Sequence, residues 1–295
     1  MGLLSFRTKH KSIFMSQVTL PVKEKIAVIF DFDETLAPST HLYMLEKTGI
    51  DGDEREGYVK KLLDSGWDKG FARAYAWIKH SQANDPKITR DMFEEVGQEL
   101  ELYDGVGKLF DRLRSFCPQA DIDVEFYLLT AGFVEVPMAT SIAHEFKKIW
   151  GGSYAFNDED ELIFIKRTIS HEEKRNYIQH LAKKGPELVD ANIPKNINQP
   201  VDEEDMYVPF TQMIYVGDGS SDRPAFSLLH EKGGFAIGLS KDNDAPWKEN
   251  KKMKAGQQVD NLLTVDYTEG SELMQCLQLA VECIANRIML RKVGN

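Results

Sequence analysis

The chain is poor in cysteine, with 3 among its 295 residues: Cys117, Cys276 and Cys283. They form no CxxC pair and no even set, which excludes a disulfide framework and a cysteine-based zinc site and points to a reducing, cytoplasmic setting. Long hydrophobic runs are missing too. The apolar stretches are strand-sized, such as 26–30, far short of the ~18 residues of a membrane span, so no membrane partner is expected. Basic clusters are also lacking: Asp and Glu outnumber Lys and Arg by 47 to 36, a formal charge of -11. Affinity for a phosphate backbone comes from clustered Lys and Arg, so nucleic acid is excluded as a partner. None of the 7 histidines stands at metal-site spacing with a second ligand. Near the N-terminus Arg7, Lys9, His10 and Lys11 occupy the place where a signal peptide needs its apolar segment. Internal repeats and low-complexity segments are absent.

What is present is an ordinary globular composition, 42% hydrophobic and 28% charged, with enough apolar material for a sizeable core. At ~150 residues per domain the length suits two domains, or one large α/β domain with an insertion. Short apolar runs at 26–30, 124–129, 213–216, 235–239 and 262–265, closed by Asp, Thr, Gly or Ser, predict strands buried on both faces. Between them Val106, Leu109, Phe110 and Leu113, and later Leu277, Val281, Ile284 and Ile288, recur at helical spacing. This alternation predicts an α/β fold, a Rossmann-like doubly wound parallel sheet.

One stretch breaks the alternation. From 38 to 101 only helical patterns occur, around 41–47, 57–65, 71–81 and 90–101, which predicts an inserted helical domain. The expected division is an N-terminal extension over 1–22, an α/β core over 23–37 and 102–295, and the insertion over 38–101. In the insertion, Phe71, Tyr75 and Ile78 share a helical stripe suited to its own core, while Trp67, Tyr75 and Trp77 are candidates to line a pocket. Segments 153–156 and 162–165 flank a polar turn and predict a β-hairpin. The stretch 183–211, with Pro186, Pro194, Pro200 and the acidic run 202–205, reads as a long surface loop.

Four clusters carry chemistry. Asp31-Phe32-Asp33-Glu34-Thr35 follows the first predicted strand, and the alternation of an extended chain directs Asp31 and Asp33 to the same side. Thr130-Ala131-Gly132 follows the second, offering a hydroxyl and backbone N–H groups. Lys174 lies in the helical segment 171–181, and Gly217-Asp218-Gly219-Ser220-Ser221-Asp222 follows the strand at 213–216. Three clusters thus sit at the carboxyl ends of strands, where open α/β sheets bind ligands. Several carboxylates with one lysine, one hydroxyl and glycine-rich turns suit a hard divalent cation together with an anion. Mg²⁺ takes oxygen ligands and is usually held by one or two carboxylates plus substrate phosphate oxygens.

In their order and spacing these clusters resemble the four motifs of the haloacid dehalogenase (HAD) superfamily, particularly its phosphatases: Asp31-Phe32-Asp33-Glu34-Thr35-Leu36, then Thr130, Lys174 and Gly217-Asp218-Gly219-x-x-Asp222. The resemblance covers about 23–36 and 103–265. The helical insertion resembles a C1-type cap, as in phosphoserine-phosphatase-like members. By this resemblance Asp31 is the nucleophile that becomes an aspartyl phosphate, and Asp33 protonates the leaving alcohol and then deprotonates water. Mg²⁺ is held by the Asp31 and Asp218 carboxylates and the Asp33 carbonyl, with Asp222 orienting metal waters or Lys174. Thr130, Ala131, Gly132 and Lys174 bind the phosphoryl group. Dehalogenases of the superfamily lack the second acid, so Asp33 favours phosphate ester hydrolysis. Glu34 stands where many relatives have Gly and is neutral to the argument. Lys166 and Arg167 are alternatives to Lys174, which is favoured because Ser170 offers a helix N-cap just before it.

The implied function is a Mg²⁺-dependent phosphatase acting on a small phosphorylated metabolite. A phosphotransferase sharing the intermediate, and a catalytically silent binding or regulatory protein of the same fold, are the alternatives.

Overall fold

The computed structural model describes residues 23–117, 121–188, 193–240 and 259–293. The expected N-terminal extension, 1–22, lies outside the described residues.

Seven strands form one sheet among the described residues: β1 (Lys25–Phe30), β2 (Asp123–Phe133), β3 (Lys148–Phe156), β4 (Leu162–Arg167), β5 (Met213–Gly217), β6 (Phe235–Ser240) and β7 (Asn261–Thr264). Their order is β4-β3-β2-β1-β5-β6-β7. All neighbours are parallel except β3 and β4, which form the predicted antiparallel hairpin. From β1 the chain winds outward through β2 and β3, then crosses back to β5 on the other side of β1. That reversal opens a crevice at the carboxyl ends of the central strands.

Strand periodicity divides the core into two layers. Ile26, Val28 and Phe30 of β1 point to one face, where they join Leu109, Phe110 and Leu113 of α5 (Leu109–Ser115) and Leu277, Val281 and Ile284 of α9 (Glu272–Val293). Ala27 and Ile29 point to the other face, against Ile178 and Leu181 of α7 (His171–Lys184) and Phe226 and Leu229 of α8 (Arg223–Lys232). Both predicted helical stripes, Val106 to Leu113 and Leu277 to Ile288, are buried. Helix α9 is long and apolar enough to cross a membrane by length and composition, and its buried side chains pack on the sheet.

The first half of β3 differs from expectation. Residues from Lys148 pair in parallel with β2 before the strand turns into the hairpin. Lys148, Gly151 and Gly152 hide this strand from a search for apolar runs; its Gly151 is needed because a Cβ there would lie 2.6 Å from Val134 Cγ1.

Between β1 and α5 come four helices, α1 (Thr40–Thr48), α2 (Gly52–Asp64), α3 (Lys69–Ala83) and α4 (Arg90–Glu99), and no strand among the described residues. The Phe71–Tyr75–Ile78 stripe is buried at Ile78, half-buried at Tyr75 and open at Phe71. Phe71 is 45% exposed, and α3 instead turns Ala72 and Ala76 to Val59 of α2, because small side chains let two helices approach closely. Trp77 is buried beneath the Arg55 guanidinium, 4.4 Å from its ring centre. Trp67 is partly exposed and rests on Tyr75. Helix α4 meets the β3–β4 hairpin through Phe93, which packs on Tyr154 and Phe156. It also packs against the short α6 (Glu135–Ala139) that follows β2.

The described part of the 183–211 stretch is more firmly attached than a solvated loop. Lys183 donates to the carbonyls of Ile197 and Gln199, Val208 is fully buried, and the Tyr207 hydroxyl bonds Glu125. In the acidic run, Glu203 pairs with Arg291 at 2.6 Å.

Candidate active site

Asp31 is the first residue beyond β1, and its backbone N–H continues the ladder to Val216 of β5 at 2.9 Å. This bond brings the end of β1 alongside Gly217 and Asp218. The Asp31 carboxylate is buried; Oδ1 accepts the Phe32 N–H at 2.8 Å and Oδ2 meets Lys174 Nζ at 2.9 Å.

Lys174 reaches this point because of how α7 begins. Ser170 caps the helix: its Oγ accepts the Glu173 N–H, while the Glu173 carboxylate accepts the Ser170 N–H, a reciprocal capping box. Lys174 then falls in the first turn on the sheet-facing side, completely buried. A cation is disfavoured at a helix N-terminus, and burying one without a partner is costly; here Asp31 and Asp222 supply the compensation, the latter at 2.6 Å. Burial pulls the Lys174 pKa down, but the two carboxylates outweigh it and hold the ammonium above its ordinary value. Lys166 is exposed, and Arg167 lines a cavity of about 360 Å³ with Tyr177 and Ile197.

Asp222 is also fully buried. Its Oδ1 takes both Lys174 Nζ and the Tyr215 hydroxyl, each at 2.6 Å, and Oδ2 accepts the Gly219 N–H at 3.2 Å. Gly217 makes this approach possible, since a Cβ there would stand 2.4 Å from Asp222 Oδ2. Carboxylate oxygens of Asp31, Asp218 and Asp222 all lie within 4.8 Å of one another. Lys174 pairs with two of these three carboxylates, Asp31 and Asp222. Burial and the Asp222 charge push the Asp31 carboxyl up to about 8, against the pull of Lys174. A cluster with this surplus of negative charge and hard oxygen donors can hold a divalent cation.

Asp33 and Thr130 meet at Gly132. A Cβ on Gly132 would lie 3.1 Å from both Asp33 Oδ2 and Thr130 Oγ1; Thr130 Oγ1 accepts the Gly132 N–H at 2.9 Å. Asp33 Oδ1 accepts the Thr40 N–H at 2.7 Å, linking it to the start of α1. Burial raises the Asp33 pKa. Glu34 takes a left-handed φ of 58°, its carboxylate bonded by the Tyr103 hydroxyl at 2.8 Å. The structure therefore gathers Asp31, Asp222 and Lys174 into one contact set with Asp218 beside it, and Asp33, Thr130 and Gly132 into a second. Thr130, Ala131 and Gly132 lie within β2 and not beyond it as expected, because the strand runs on to Phe133 after its apolar run stops at Leu129. Tyr215 and Tyr103 escape sequence reading. Tyr215 looks like apolar filler of a buried strand, and Tyr103 lies in an irregular segment with no motif around it.

No family model matches the chain. An uncharacterized protein of Borreliella burgdorferi is 22% identical over 283 aligned positions, covering 84% of this chain and 93% of the relative. Among solved structures, a HAD family hydrolase from Salmonella enterica serovar Typhi superposes with a TM-score of 0.56 at 13% identity, covering 88% of this chain and 72% of that one. A phosphoserine phosphatase, captured as a phospho-aspartyl intermediate analogue, gives 0.54 at 13% identity, covering 86% and 98%. A probable phosphoserine phosphatase from Vibrio cholerae gives 0.55 at 13% identity, covering 92% and 69%. At these identities the likeness establishes architecture, and the chain has the α/β fold shared by HAD family hydrolases and phosphoserine phosphatases.

Proposed function

We propose that the protein is a Mg²⁺-dependent phosphatase that hydrolyses a small phosphomonoester through an aspartyl phosphate on Asp31. The observation that carries this reading is the buried Asp31–Lys174–Asp222 set at the carboxyl end of the central strand, with Asp218 completing three carboxylates within 4.8 Å. The fold shared with phosphoserine phosphatases supports it.

Asp31 and Asp218 would hold the cation through their carboxylates, Asp33 through its backbone carbonyl, with Asp222 beside them. When bound, Mg²⁺ supplies positive charge that keeps Asp31 ionised and neutralises the phosphate oxygens. Asp31 attacks phosphorus as Asp33 gives its proton to the leaving alcohol oxygen. Asp33 then takes a proton from the water that cleaves the acyl phosphate, restoring Asp31. The raised Asp33 pKa suits a group that must start protonated. Lys174 and the Thr130 hydroxyl bind the transferring oxygens, with the Gly132 N–H at hand. The insertion 38–101 acts as a cap that excludes water while the phosphoryl group moves. The three cysteines are free thiols, in keeping with the cytoplasmic setting we assign.

Release of inorganic phosphate from an aryl phosphate tests the reading. Turnover that requires Mg²⁺ and stops with EDTA is the expected result; undiminished turnover under chelation overturns the metal-dependent mechanism. Added alcohols that capture the phosphoryl group would recast the enzyme as a phosphotransferase.

A further inference from the structure

Lys174 carries three N–H donors, and three protein oxygens stand ready for them: Asp222 Oδ1 at 2.6 Å, Asp31 Oδ2 at 2.9 Å and the Tyr215 hydroxyl at 3.3 Å. All four side chains are buried, three of them with no exposure at all. Tyr215 closes the set, because its own O–H donates to Asp222 Oδ1 at 2.6 Å. The hydroxyl therefore fixes the Asp222 carboxylate against rotation and accepts the third lysine proton at once. A buried ammonium that directs every proton into the protein has none left for a phosphate oxygen. One of the three bonds has to yield when phosphate arrives beside Asp31. The two carboxylate bonds are charge-assisted and short, whereas the bond to the neutral hydroxyl is the longest.

We propose that Tyr215 is a positioning residue for the phosphoryl transfer, holding the third N–H of Lys174 in the resting site and releasing it to the incoming phosphoryl oxygen while keeping Asp222 in place. This rests on the phosphatase reading above. The bond exchange moves no net proton: Lys174 stays an ammonium, Tyr215 stays a phenol bonded to Asp222, and one N–H changes acceptor. The tyrosine ring has a separate task, packing edge-on against Phe226 at 5.6 Å, which Phe at the same position would preserve.

Two measurements test the assignment, once wild-type enzyme has shown Mg²⁺-dependent hydrolysis of p-nitrophenyl phosphate; its failure to do so would refute the phosphatase reading itself. In Tyr215→Phe, kcat should fall roughly 10-fold while KM stays within about threefold, because the hydroxyl keeps in place the Asp222 carboxylate that aims Lys174 at the transferring oxygens and itself binds no substrate. The melting temperature should drop by no more than about 5 °C. A kcat within twofold of wild type overturns the proposal, as does a loss that only tracks a falling folded fraction. The second measurement needs no variant. The Tyr215 hydroxyl proton, buried in a 2.6 Å bond, should give an exchange-protected downfield proton resonance that moves when inorganic phosphate is added with Mg²⁺. A resonance that phosphate saturation leaves in place overturns the exchange of acceptors.

Discussion

Strands β1 and β2 carry a charge cluster around a buried carboxylate at each end, and the two are built on opposite principles. At the amino end, Glu125 near the start of β2 is one carboxylate facing two ammonium groups and two hydroxyls: Lys25 at 2.7 Å, Lys147, Tyr127, and Tyr207 at 2.9 Å. Its charge is over-compensated. Burial acts against its ionisation, but the bonds from Lys147, Lys25, Tyr127 and Tyr207 prevail and hold the carboxyl at about 2. At the carboxyl end, two carboxylates, Asp31 and Asp222, share one buried lysine with the Asp218 carboxylate within 4.8 Å of both, and Asp31 is pushed up to about 8. The first cluster is complete within the protein and ties the 193–212 segment to the sheet. The second sets two carboxylates against one ammonium, with a third carboxylate close by, the kind of arrangement that costs stability and that clusters at functional sites.

The contrast can be broken experimentally, and the largest effect belongs at the acid-rich end. Asp31→Asn should reduce phosphatase turnover by at least about 10³-fold while leaving the circular dichroism spectrum intact; retention of most activity removes Asp31 as nucleophile. Asp33→Asn comes next, with a loss of about 10²- to 10³-fold expected in both alcohol release and dephosphorylation, measured by single-turnover kinetics. Gly217→Ala should cost roughly 10- to 100-fold, because the new methyl occupies the place of the Asp222 carboxylate and so frees Lys174. Steady-state assays on folded enzyme decide it. Glu125→Gln belongs to the other class: turnover should stay within about twofold, while stability falls by about 1–3 kcal/mol, read from urea melts.

The smallest effect is a difference of sign with pH. Glu125 has a folded pKa below its unfolded value, so its stabilisation is present above about 4.5 and lost as pH falls toward 2. Asp31 in metal-free protein has a folded pKa above its unfolded value of 3.8, so it costs stability progressively as pH rises toward 8. Comparing wild type with Asp31→Asn in EDTA, the stability difference should shift in favour of the variant between pH 5 and about pH 8, and Glu125→Gln should not show this trend. Parallel curves for both variants would erase the distinction between the two ends.

Much of this architecture is legible in the order of the residues alone. Central parallel strands are buried on both faces, so Ile26 to Phe30 and Met213 to Val216 appear as unbroken apolar runs, and the chemical residues follow where each run stops. Asp31, Thr130 and Asp218 are visible for that reason. Where burial is shared unevenly the signal fails. The parallel part of β3 contains Lys148 and two glycines, and α3 presents Ala72 and Ala76 rather than Phe71 to its neighbour. Apolar size alone does not reveal which face of a helix meets another small-residue surface.

By itself, then, the sequence determined the alternating α/β pattern, the helical insertion and the four clusters that supply carboxylates, hydroxyl and lysine, because these depend on local periodicity and on residue type. Only the tertiary structure decided that Lys174, rather than Lys166 or Arg167, meets Asp31; that Gly217 serves by leaving room for Asp222; and that Tyr215 closes the buried network while Glu125 anchors the opposite end. Each of these rests on distances between residues far apart in the chain. Such distances are set by strand order and by the depth to which α7 and α8 sink onto the sheet, which no local window contains.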